Sequence, residues 1–107
     1  MTSMHIPGVI TVLDGNGEAI AAAHATVEQS AEPVSSGDVR LAVGGFGRGN
    51  HGRVLLTCKE WDRWLVGVRC RPFTMLRSNT LVEAVSARLV LGDGREFTFW
   101  AKGHSGL

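Results

Sequence analysis

Apolar and polar positions alternate over short runs at both ends of the chain, and change to a helical spacing in the middle. Residues 9–13 read Val-Ile-Thr-Val-Leu, a run of residues that favour strands. Asp14-Gly15-Asn16-Gly17 follows and reads as a hairpin turn. Residues 18–28 return as a second strand. Their alanines at 19, 21, 22, 23 and 25 also suit a helix, but the turn before them favours a strand. Gln29 to Ser36 is polar, contains Pro33 and reads as a loop. In residues 38–43, Val39, Leu41 and Val43 share one face of a half-buried strand. Residues 44–52 hold five glycines in nine positions and predict a flexible loop, and residues 53–57 a short strand beyond it.

The middle of the chain predicts a helix over 57–69. Thr57 is a suitable N-cap, Glu60 completes a capping box, and Leu56 can staple onto Trp61. Trp61, Trp64, Leu65 and Val68 then recur at helical spacing, while Gly67 weakens the end and Pro72 stops it. This reading turns both tryptophans toward the core. The last third returns to alternation. Leu81, Val85, Ala87, Leu89 and Leu91 share one face, with Val82, Ala84, Ser86, Arg88 and Val90 on the other. Gly92-Asp93-Gly94 makes a turn, and Phe97, Phe99 and Ala101 lie opposite Thr98 and Trp100 on the returning strand. The two turn regions, Val12 to Gly17 and Leu89 to Gly94, resemble one another. Residues 102–107 read as a frayed tail. Together these elements predict one compact α+β domain over 1–107. Its core is a mainly antiparallel sheet of four to six strands, with one central amphipathic helix packed on one face.

Composition narrows the function classes. The 107 residues are 44% hydrophobic and 20% charged, with a formal charge of +1. This excludes a strongly basic nucleic-acid tail and a disordered acidic chain. No run approaches the ~20 apolar residues of a membrane helix, and the start lacks a secretory leader. The expected setting is cytoplasmic, with no membrane partner. The small net charge hides a division. Residues 1–47 carry five acidic residues and one basic, a balance of −4, and residues 48–107 carry ten basic and five acidic, a balance of +5.

No enzyme class emerges, and no catalytic residue, cofactor or metal is expected. The glycine-rich loop lacks the ending of a phosphate-binding loop and runs into a strand. It could instead contact a partner through Phe46, Arg48, Asn50 and His51. Asp14, Glu18, Glu28, Glu32 and Asp38 have no spacing that makes a pair converge. Four scattered histidines (His5, His24, His51 and His104) and two cysteines do not form a zinc pattern. On the predicted helix Cys58 and Cys70 would lie roughly 18 Å apart, too far for a disulfide, so both are expected to be free. Cys58 would open the helix, where the dipole lowers a thiol pKa. A cysteine–histidine pair would need a cleft bringing Cys58 or Cys70 to a histidine.

Two surfaces suggest binding. Trp61, Trp64, Trp100 and Phe46 are candidate protein-interface residues, since tryptophan is enriched where proteins meet. The sharper form of this reading joins one tryptophan to an open strand edge. Arg63, Arg69, Arg71 and Arg77 gather at the helix end and the following loop, with Phe73 nearby. They are candidate nucleic-acid contacts.

Leu56-Thr57-Cys58-Lys59-Glu60-Trp61-Asp62-Arg63-Trp64-Leu65-Val66-Gly67-Val68-Arg69 also carries a resemblance. The leucine-threonine start, the glutamate-tryptophan pair, the tryptophan-leucine pair and the glycine-valine-basic ending resemble the BldB-like family. That is a group of small actinobacterial regulatory domains of unknown biochemical function. Phe73 could fill the phenylalanine that follows in that family, and Val39, Arg40 and Val43 could echo its upstream strand. The likeness spans about residues 38–73. It implies a small non-enzymatic regulator acting through protein partners, perhaps as a homodimer, and carries over no catalytic residue. The expected function is therefore a regulatory or adaptor protein that works by protein–protein contact and self-associates. The alternatives are a nucleic-acid-binding protein using the basic cluster, and an accessory component of a phage or other assembly.

Overall fold

The computed structural model describes residues 4–34, 38–44, 53–77 and 84–103. Eight strands account for most of them: β1 (Met4–Asp14), β2 (Ala19–Gln29), β3 (Val39–Gly44), β4 (Arg53–Cys58), β5 (Leu65–Cys70), β6 (Thr74–Met75), β7 (Ala84–Leu91) and β8 (Glu96–Ala101). All pairings are antiparallel. The strands follow the order β3-β4-β8-β7-β1-β2-β5, with β6 also on β2, and curl into a nearly closed barrel-like sheet. The end strands β3 and β5 approach within 8 Å between Cα atoms over part of their length.

The domain is therefore all-β, and the expected α+β fold with a central helix is corrected. Residues 57–69 form the end of β4, a connection at 59–64 and most of β5. Tertiary pairing overrides the helical spacing. Val66-Gly67-Val68 is poor helix material, because β-branched residues lose side-chain freedom in a helix and glycine costs about 1 kcal/mol against alanine. As a strand, the same segment pairs with β2, through Val27↔Val68 and Glu28↔Val66, with Gly67 as the extra residue of a bulge. The apparent capping residues serve a different turn. Asp62 accepts the Trp64 N–H at 2.8 Å through its side chain and the Leu65 N–H at 3.0 Å through its carbonyl.

The interior is filled from every strand except β6. Ile10, Val12, Ile20, Val27, Val43, Leu56, Leu65, Leu89 and Phe99 are fully buried. Small residues lie between them. Ala21, Ala23 and Ala25 on β2 and Ala87 on β7 point inward, and Ala87 lies opposite Phe99. Alternating small and large side chains fit a barrel's taper, so the alanines of β2 serve a strand rather than a helix. Trp61 closes one end. Its ring lies 4.6 Å from Phe97 and 6.0 Å from Phe99, and its indole N–H donates to the Leu65 carbonyl at 2.9 Å.

The two resembling turns share one construction. The Asp14 N–H donates to Glu18 O and the Gly17 N–H to Asp14 O; Leu91, Arg95 and Gly94 repeat that pattern. Gly17 and Gly94 have φ of 81° and 97°, the left-handed region glycine enters without strain. Long-range arginines pin both. Arg77 reaches Asp14 at 2.7 Å and Glu18 at 2.8 Å. Arg95 reaches Asp93 at 2.6 Å, Asp62 at 3.2 Å and Gln29 at 3.0 Å. The acidic and basic halves of the sequence are thus stitched together through Arg77 rather than held apart.

Asp14 makes the first turn sensitive to acid. The Glu18 N–H is the strongest influence holding its carboxyl below the ordinary 3.8; burial opposes it, and the Asn16 N–H and Arg77 add to the lowering. A depressed folded pKa gives stability that is present above about pH 3.8 and disappears as pH falls through the folded value. Asp14→Asn is expected to lower the urea midpoint at pH 7 and to flatten its decline below pH 4. An acid limb identical to that of the original protein would refute this role.

Candidate functional site

The described chain offers an open sheet edge rather than an enclosed site. β5 ends the strand order, and β6 continues along the same side of β2. Between them the Arg71 N–H donates to His24 O at 2.9 Å, and beyond β6 the Leu76 N–H donates to Ile20 O at 3.0 Å. Residues 65–76 therefore act as one edge strand interrupted at Pro72. Proline within a sheet is confined to such edges and bulges, since it cannot donate to a ladder.

Both faces of this edge can be read from its register. Val68 and Cys70 lie opposite Val27 and Ala25 and pack against the core. Val66 and Arg69 lie opposite Glu28 and Thr26, with Arg71 beside His24, on the outer face. Val66, Gly67, Arg69 and Arg71 are exposed. In an antiparallel ladder the backbone groups of successive residues point to opposite sides. Because the Arg71 N–H is spent on His24, the N–H and C=O of Cys70 and Val68 point away from β2. Trp64, 41% exposed, stands just before the strand, and its carbonyl accepts the Ser30 N–H at 2.9 Å. The Val34 N–H donates to Arg63 O at 2.8 Å, which brings exposed Val34 beside this corner.

The candidate residues separate accordingly. Trp61 is 6% exposed and belongs to the core, whereas Trp64 does not share its burial as the helical reading required. Trp100 is half-buried on the outer face, opposite Thr57 and Ser86. Phe46, Arg48, Asn50 and His51 lie outside the described residues, as do His104 and most of the 44–52 loop and 102–107 tail. Arg63, Arg69 and Arg71 come together on the open edge, not at a helix end, and none has an ion-pair partner among the described residues. Arg77 is committed to Asp14 and Glu18. Phe73 is half-buried against the core rather than presented as a stacking platform.

The chemistry-bearing groups do not converge. Cys58 ends β4, 2% exposed, and burial pushes its thiol up rather than a helix terminus pulling it down. Burial also raises Cys70. Both are free, Cys70 points inward and His24 outward, so this pair does not form a nucleophile and base. Among the described residues no group of three or more histidine, cysteine or acidic side chains could hold a metal, and no helix is long and apolar enough to cross a membrane.

Sequence reasoning missed Val34, Val66 and Leu76, all exposed at this edge. Pro72 within a run of β-forming residues was the available signal. Comparison with protein-family models, curated proteins and solved structures finds no match to this chain.

Proposed function

We propose that the protein is a small non-enzymatic adaptor or regulator that works by protein–protein contact through the edge at residues 64–71. The observation that carries this reading is Trp64, 41% exposed beside an open strand edge, with Val34 at 48% and Val66 at 39% completing an apolar corner. Tryptophan at the centre of such a patch commonly dominates binding energy. The likeness of residues 38–73 to BldB-like regulators points the same way.

Trp64→Ser tests it, because an exposed side chain can be removed without opening the core. Cross-linking mass spectrometry of the protein, alone and with its host extract, is expected to place cross-links near Lys59 and the edge. The substitution is expected to weaken the captured contact roughly 30-fold or more, the scale of a hot-spot residue. A monomer at high micromolar concentration, with a partner set unchanged by Trp64→Ser, would refute the proposal.

A further inference from the structure

The open edge also indicates what kind of segment it would take, given the protein-contact reading on which this step rests. A strand added to an edge lies about 4.8 Å away and sends alternate side chains to opposite faces. On the outer face it would meet Arg69 and Arg71, two residues apart and exposed. On the inner face it would meet Val68 and Cys70, which pack against the core. Its backbone would bond to the outward N–H and C=O groups of those same two residues.

We propose that residues 64–71 dock an extended segment of a partner protein in which apolar residues alternate with carboxylates. The carboxylates pair with Arg69 and Arg71, the apolar residues cover Val68 and Cys70, and an apolar end of the segment rests on Trp64. Charge complementarity selects this occupant. A second copy would bring its own Arg63, Arg69 and Arg71 to the same seam, and like charges across neighbouring strands repel. Nucleic acid would find the arginines but few stacking surfaces, since Phe73 and Trp61 are packed against or within the core.

The test uses the whole protein and a ten-residue peptide alternating valine and glutamate. A valine–lysine peptide and a fifteen-nucleotide thymidine strand serve as comparisons, at about 50 mM salt. Binding is followed by amide NMR shifts. The glutamate peptide is expected to bind and to move the Val68 and Cys70 amides most. Arg69→Glu with Arg71→Glu should weaken it at least tenfold while the remaining spectrum stays folded. Equal binding of the lysine peptide overturns the proposal. So does tighter binding of the oligonucleotide with the same arginine dependence, or a dimer through this edge that the peptide cannot displace. If no peptide binds at millimolar concentration while Trp64→Ser still abolishes a protein contact, the partner chemistry is wrong and the protein-contact reading stands. If Trp64→Ser changes no contact, that reading itself fails.

Discussion

Phe99→Ala is expected to destabilise the domain by about 3–5 kcal/mol, the usual cost of removing a large aromatic ring from a core. Phe99 is fully buried on β8. It lies opposite Ala87, which is too small to fill the space left behind, and 6.0 Å from the Trp61 ring. The loss therefore combines lost burial with a cavity that small neighbours cannot close. Set against a total of about 5–15 kcal/mol for a typical domain, it removes much of the folding margin. Urea unfolding measures it directly. The melting temperature should fall by at least 12 °C or so, at roughly 4 °C or more per kcal/mol. A loss under about 1 kcal/mol would show that the interior repacks freely, contrary to the rigid alternation of large and small residues described above.

The second large effect is expected at Gly8, in the middle of β1. There a Cβ would sit 2.7 Å from the carbonyl oxygen of Val90 and 3.3 Å from the Cα of Leu91. Both are backbone atoms of β7, so no side-chain rotation relieves the contact, and the two strands must separate locally. Gly8→Val is expected to cost about 1–3 kcal/mol, the range for overpacking, despite valine's preference for strands. Gly67→Val provides the contrast. A Cβ there meets nothing within 4 Å, so the change should stay within about 0.5 kcal/mol. Equal urea midpoints for the two variants would refute the close approach of β1 to β7.

These positions also show what could be read before any coordinates. The hairpin turns were legible because glycine at Gly17 and Gly94 answers a local backbone requirement. The strand alternation of Val39, Leu41 and Val43 was legible because burial on one face imposes a period of two. Trp61, Trp64, Leu65 and Val68 misled because helical spacing can arise by chance when a connection and an edge strand adjoin. Nothing local records that Val68 will pair with Val27, some forty residues earlier. The arginine cluster was visible as composition. Its separation into Arg63, Arg69 and Arg71 on the edge, with Arg77 clamped to Asp14 and Glu18, depends on long-range pairing. The open edge needed a tryptophan and a strand end to be placed together, and the helical reading pulled them apart.

The place of β1 in the strand order has a consequence for synthesis. β1 and β2 emerge early and pair locally, but the other side of β1 belongs to β7, with Gly8 opposite Leu91 and Asp14 opposite Ala84. At about 5–20 residues per second, the ribosome takes on the order of 4–15 s to make that intervening chain. For that interval a strand central to the finished barrel is an uncovered hairpin edge, carrying Val9, Ile10 and Val12. Nascent chains on neighbouring ribosomes could pair through it. Misassembly would be decided there, before the completed barrel exists to prevent it.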